Sequence, residues 1–176
     1  MSGHNKWSQI KHKKGAKDAK KSVLFTKLLG AIAIAAKQDP SPEKNPRLRT
    51  LIEKAKEHNI PNENIERALR RAKESKELSE FLFEAYGPEG VAILIEAVTD
   101  NGNRTNQHLR LIAEAVGAKP ADAGSVRWAF HKPDYETGWV AKFPQPVSLE
   151  TAEKLAEIVA AFEEHDEVQE VAINAQ

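Results

Sequence analysis

No cysteine occurs among the 176 residues. Disulfides, thiolate metal sites and a cysteine nucleophile are thereby excluded, and the composition fits a reducing compartment. Aromatic residues make up only 6% of the chain. No stretch is apolar for long enough to span a bilayer: the run Leu28–Ala36 has nine residues, where about 20 are needed. That run follows a basic start and superficially resembles a secretory signal. Its leading basic region would be unusually long, however, and Lys27 interrupts the approach, so the run reads as the buried face of a helix. The signatures of catalysis are missing as well. There is no phosphate-binding glycine loop, no nucleophile elbow and no pair of histidines at metal spacing. His4, His12, His58, His108, His131 and His165 are scattered. No catalytic residue, metal, cofactor, small-molecule substrate or membrane contact is expected.

What is present is a segregation of charge that the formal net charge of zero conceals. Residues 1–75 hold 18 Lys+Arg against 8 Asp+Glu, and residues 76–176 hold 8 against 18. Two electrostatic halves in series point to a polyanion as partner of the first. Its leading edge, MSGHNKWSQIKHKKGAKDAKK, carries Lys6, Lys11, Lys13, Lys14, Lys17, Lys20 and Lys21 with His4, His12 and one indole, Trp7. Lysines supply diffuse attraction to phosphates, and an indole can stack on a base.

Three amphipathic helices follow from the period of the apolar residues. Phe25, Leu28, Leu29, Ile32 and Ala36 make a stripe over residues 14–37, which Asp39-Pro40-Ser41-Pro42 ends. Asn45-Pro46 opens a second helix, asparagine as cap and proline in the first turn, with Leu48, Leu51, Ile52 and Ala55 inward. Ile60-Pro61 starts a third with Ile65, Ala68, Leu69 and Ala72. Their outward faces are basic. The charged run Lys73–Glu80 reads as a linker, giving domains of 1–75 and 76–176.

In the acidic half the period changes. Val91–Val98 is apolar on both faces, as a central strand is. The turn Asp100-Asn101-Gly102-Asn103 leads into a helix with Leu109, Ile112, Ala113 and Val116 inward. Residues 125–131 alternate like a strand, Trp139–Phe143 reads as another, Ser148 caps a helix, and Val168–Ile173 is a last strand. The predicted fold class is α+β: a basic three-helix domain, then a ferredoxin-like βαββαβ α/β sandwich with its first and third strands central. Trp128, Phe130, Trp139 and Phe143 read as core aromatics, and Tyr86–Gly90 as a turn.

Candidate nucleic-acid contacts are therefore His4, Lys6, Trp7, Lys11, His12, Lys13, Lys14, Lys17, Lys20, Lys21 and Lys27 in the arm and first helix, with Arg47, Arg49, Arg70 and Arg71 on the helices behind it. A further phosphate contact is expected of Asn103, Arg104 and Thr105, which stand where a strand hands over to a helix N-terminus.

These residues carry a family resemblance. Ser2-Gly3-His4-Asn5-Lys6-Trp7, the following KHKKGAKDAKK, Phe25-Thr26-Lys27-Leu28 and NPRLRTLIEKAKEHNIPNENIERALRRA resemble the YebC/PmpR family, which includes mitochondrial translational activators of cytochrome oxidase subunit I. Tyr86-Gly87-Pro88, Asp100-Asn101, Asn103-Arg104-Thr105 and Gly124-Ser125-Val126 follow in the family's order. The resemblance implies a non-enzymatic nucleic-acid-binding regulator in the cytoplasm or, in a eukaryote, the mitochondrial matrix. Family members are described as DNA-binding transcriptional regulators and as ribosome-associated translation factors that help peptide-bond formation through difficult sequences. A Lys/His/Trp arm suits an irregular RNA pocket, and no recognition helix for duplex DNA stands out, so rRNA and the ribosome are favoured over duplex DNA. The chain departs from the family pattern in three ways. Glu89 replaces a usual glycine, Gly102 replaces a usual arginine, and a third small domain expected between residues 131 and 139 is absent.

Overall fold

The computed structural model describes residues 17–74, 78–133 and 138–176, with backbone alone over 17–23. Three helices come first: α1 (Lys17–Gln38), α2 (Pro46–Glu57) and α3 (Asn62–Glu74). Ile32, Ala33, Ile34, Ala35 and Ala36 are all buried, so the end of α1 is enclosed on every side rather than on one stripe. It packs with Leu48 and Ala55 of α2 and with Ile65, Ala68 and Ala72 of α3. Asn45 joins two helices at once. Its Nδ2 donates to the carbonyls of Ala35 and Asp39 at 2.8 Å each, while its Oδ1 accepts from Leu48 N at 3.0 Å. One buried amide thus closes α1 and caps α2. Asn59, at φ 58°, ends α2 in the left-handed region, and Ile60 N returns to Ala55 O at 2.9 Å.

The second half is built on β1 (Ser79–Tyr86) and β2 (Ala92–Thr99), an antiparallel hairpin at the centre of a four-stranded sheet. Then come α4 (Gly102–Ala115), β3 (Lys119–Pro120), β4 (Phe130–His131), β5 (Val140–Ala141), α5 (Leu149–Glu163) and β6 (Val168–Ile173). The sheet runs β3-β1-β2-β6, and all its pairings are antiparallel. On one face Phe83, Ile93, Ile95 and Val171 meet Leu109 and Ala113 of α4 and Leu155, Ile158 and Phe162 of α5. On the other, Ala92, Leu94 and Ala172 are covered by Val126, Ala129 and Phe130. Leu78 and Val98, at one end of the hairpin, belong to the helical core, and Lys37 Nζ donates to Leu78 O at 2.5 Å. A Cβ on Gly30 of α1 would sit 3.1 Å from Gln169 Nε2 at β6, so the two halves are in close contact.

The α+β class and the helices-then-sandwich order stand, but three details of the strand reading are corrected. First, β1 is a strand that the sequence reading lacks: its ends, Ser79, Glu80 and Tyr86, fall in the segments read as linker and turn, and Lys73 and Glu74 still belong to α3. Second, residues 125–131 are not a strand of the sheet. A 3₁₀ turn, Arg127–Ala129, precedes the two-residue β4. Third, β5 is not central, because it pairs only with β4 outside the main sheet.

The reason for the second correction is Glu84. Its side chain is buried, and its carboxylate accepts from Gly124 N at 2.6 Å, Val126 N at 2.7 Å and Arg127 N at 2.9 Å. Amides gathered round a carboxylate cannot feed a ladder, so the chain turns there, and Trp128 swings outward. Trp128 and Phe143 are 63% and 58% exposed; of the four aromatics read as core, Phe130 is buried and Trp139 half-buried. In the turn between β1 and β2, a Cβ on Gly87 would lie 3.0 Å from Leu155 Cδ2 and 3.1 Å from Ile93 Cδ1, so a larger residue there would have to displace these methyl groups.

Removing the Glu84 carboxylate strands three inward amides. Glu84→Ala is expected to cost about 3 kcal/mol, and Glu84→Gln, which keeps one acceptor oxygen, about half that. Urea denaturation of the full chain checks this, and an unchanged midpoint in Glu84→Ala would contradict the clamp.

Candidate nucleic-acid interface

His4, Lys6, Trp7, Lys11, His12, Lys13 and Lys14 lie outside the described residues. Lys17, Lys20 and Lys21 occupy the opening turns of α1, and Lys27 is half-buried farther along it. Arg49 of α2 and Arg70 and Arg71 of α3 are exposed. So are Lys56 and Lys73. Arg49, Lys56 and Arg70 form no ion pair among the described residues. A guanidinium that faces water without a carboxylate is free to meet a phosphate bidentately.

Arg47 is different. Its guanidinium lies 2.7 Å from Glu80 Oε1 at the start of β1, with only 11% of the side chain exposed. Arg47 thus fastens α2 to the acidic half, and a shielded, paired cation is a poor phosphate ligand.

The loop after β2 is likewise tied by internal partners. Asn101 caps α4 through its side chain, accepting from Arg104 N at 3.1 Å. Thr105 is fully buried, its hydroxyl 2.5 Å from Glu167 Oε2 and 2.8 Å from Thr99 Oγ1. Arg104 pairs with Asp100 Oδ1 at 2.7 Å and also with Glu167 Oε1. Thr105 therefore cannot touch an external phosphate, and Arg104 is held from within. Asn103 alone of the three is exposed without such a tie. The decisive partner, Glu167, lies 62 residues beyond Thr105, so no local pattern could have shown it.

Charge at this junction is strongly coupled. The hydrogen bond and charge of Arg104 hold the Asp100 carboxyl below its ordinary range, with Arg71 adding a smaller contribution across the domain boundary. For Glu167, burial alone would raise the pKa; the Thr105 hydroxyl, the Arg104 guanidinium and Thr99 outweigh it and bring the pKa down. Between the halves lies a cleft of about 410 Å³, walled by Asn64, Arg67 and Arg71 on one side and by Asp100, Asp166 and Glu167 on the other. Among the described residues no three potential metal ligands cluster, and no helix is long and apolar enough to cross a membrane.

Comparison with known proteins gives this arrangement a context. Residues 5–75 match the TACO1/YebC protein N-terminal domain, and residues 78–135 match the TACO1/YebC second and third domain. A "Probable transcriptional regulatory protein" of Pseudothermotoga lettingae is 54% identical over 136 residues, covering 75% of this chain and 54% of that one. A protein of the same description from Trichlorobacter lovleyi is 50% identical over 136 residues, covering 75% of this chain and 55% of its own. The chain thus spans about half the length of these curated relatives. The crystal structure of a conserved hypothetical protein, Aq1575 from Aquifex aeolicus, is similar with a TM-score of 0.84 and 30% identity, covering 97% of this chain and 96% of that one.

The Glu167 network has a pH signature. A carboxylate whose folded pKa is depressed contributes stability that is fully present above its unfolded pKa of about 4.3 and is lost as pH falls through the lower folded value. Glu167→Gln is expected to cost about 1 kcal/mol at neutral pH and to flatten the acid limb of the stability profile. Urea midpoints measured from neutrality to strong acid check it, and an unchanged acid limb in the variant would count against the network.

Proposed function

Because the chain belongs to the TACO1/YebC family, we infer that it is a non-enzymatic, nucleic-acid-binding regulator of gene expression whose target is ribosomal RNA. The observation that carries this reading is the sorting of its cations. Arg47 and Arg104 are consumed by internal carboxylates, whereas Arg49, Lys56 and Arg70 of the helical half stand in water without one. The lysine-rich arm of residues 1–21 adds to the same half. Cations left unpaired on the basic half make an electrostatic footprint for phosphates.

RNA is favoured over duplex DNA on two grounds. The arm combines lysines with one indole, a pairing suited to an irregular pocket with unstacked bases. In the sequence, no recognition helix for duplex DNA stands out. Duplex DNA is the second reading, and the description of the relatives as probable transcriptional regulatory proteins favours it. In either case the helical half is the main phosphate-facing surface, and the α/β half packs against it through Leu78 and Val98.

The test is co-sedimentation with ribosomes across a salt series, comparing the full chain with a variant carrying Gln at Lys6, Lys11, Lys13 and Lys14. Each lost phosphate contact is expected to reduce the salt slope by roughly 0.7–0.9. Equal association of both proteins at every salt concentration overturns the reading. Tighter binding to one duplex sequence than to ribosomes at physiological salt would replace it with the DNA reading.

A further inference from the structure

We propose that the α/β half carries a second nucleic-acid contact, a stacking platform for an unpaired base formed by Trp128 and Phe143 and flanked by Arg127 and Lys142. It extends the nucleic-acid reading to a face that nothing in the helical half requires. The motivating observation is exposure: in a chain with few aromatics, two of the largest side chains face water side by side. Their ring centroids are 5.6 Å apart, at an interplanar angle of 48°.

The platform is built rather than accidental. Trp128 Nε1 donates to Ser125 O at 2.8 Å, and Tyr86 Oη donates to the same oxygen at 3.0 Å. Ser125 itself sits in the turn that the buried Glu84 carboxylate gathers through Gly124, Val126 and Arg127. On the other side, Asn174 Nδ2 donates to Phe143 O at 3.2 Å, and Asn174 Oδ1 accepts from Ala92 N at 2.8 Å. Both rings therefore stand on supports tied directly to β1 and β2. An exposed indole fixed in advance loses little conformational freedom when a base stacks on it.

Charge identifies the occupant. Each ring directly follows a cation in sequence, Arg127-Trp128 and Lys142-Phe143, and both cations are exposed. Arg127 lies 5.5 Å from the centroid of the Trp139 ring, and neither cation forms an ion pair among the described residues. The carboxylates beneath them are engaged elsewhere. Glu84 holds backbone amides, Glu96 accepts from Lys132 Nζ at 2.6 Å and Trp139 Nε1 at 2.5 Å, and Glu170 accepts from Trp139 N at 2.7 Å. Two free cations beside two aromatic faces suit a base with its flanking phosphates better than a protein surface, which offers no regular negative charge. The platform lies at the Tyr86 end of β1, and the helices pack at the Leu78 end. The eight residues of β1 set its two ends about 25 Å apart, at ~3.3 Å per residue.

The experiment is fluorescence anisotropy of the full chain against a single-stranded oligoadenylate and an abasic strand of equal length, over a salt series. Trp128→Ala is expected to weaken oligoadenylate about tenfold, to leave the abasic strand unchanged and to keep the salt slope. Phe143→Ser, which leaves the Trp128 hydrogen bond intact, should move the same way. Trp128→Phe should keep most of the affinity. Arg127→Gln with Lys142→Gln should lower the salt slope by about one unit per cation on both strands. The idea is overturned if Trp128→Ala and Phe143→Ser leave oligoadenylate binding unchanged, or weaken both strands equally. It is also overturned if they convert a dimer to a monomer in sedimentation without altering strand binding. Arg49→Glu with Arg70→Glu reports on the helical face alone, so failure of one contact is distinguishable from failure of the other.

Discussion

Strand β2 is the constraint on which the rest of the molecule depends. All eight of its residues are buried, and it enters each of the three apolar cores. Ile93, Ile95 and Ala97 face α4 and α5, Ala92 and Leu94 face the turn at Val126, and Val98 meets the helices. A strand buried on both faces cannot shift register by one residue without exchanging these partners. The only acid within it, Glu96, is buried and held by Lys132 and the Trp139 indole. One strand therefore fixes the sheet, the outer turn and the seat of the helical half together.

Fixing the helices in this way has an electrostatic consequence. Arg47 pairs with Glu80 across the boundary and Arg71 stands beside Asp100, whereas Arg104 pairs with Asp100 and Glu167 within the acidic half. The Arg47–Glu80 pair thus ties α2 to β1, while unmatched cations remain on the outer faces of α2 and α3. Some cations thus serve the architecture, and others stand in water. Sequence position alone does not separate the two groups, since Arg47 and Arg49 are two residues apart.

How much of this was legible depended on how local each signal is. The helices were readable because their determinants lie within a few residues: Asn45-Pro46 at a start, Asn59 at an end, and the stripe through Ile65, Ala68 and Ala72. The class of fold and the doubly buried strand were readable for the same reason. β1 was not, because Glu84 interrupts its apolar pattern, and the reason it can do so is an acceptor role toward amides 40 residues away. The alternation at Val126, Trp128 and Phe130 was real in sequence and misleading in space, since the same carboxylate bends the chain there. The tie of Thr105 to Glu167 was not legible, because that partner comes from the far end of the chain. Glu89, in place of a glycine usual in the family, has a local account: at φ 55° it adopts the left-handed conformation. Its carboxylate accepts from the hydroxyls of Thr151 at 2.6 Å and Ser148 at 3.0 Å at the start of α5.

The central claim is that the basic half meets ribosomal RNA. It is tested most directly by crosslinking the protein to nucleic acid in living cells, sequencing what is attached and mapping the crosslinked peptides. The account predicts that the recovered sequences concentrate in ribosomal RNA and that peptides from residues 1–74 are among those attached. Recovery of genomic DNA in place of ribosomal RNA, or crosslinks confined to the acidic half, would contradict it.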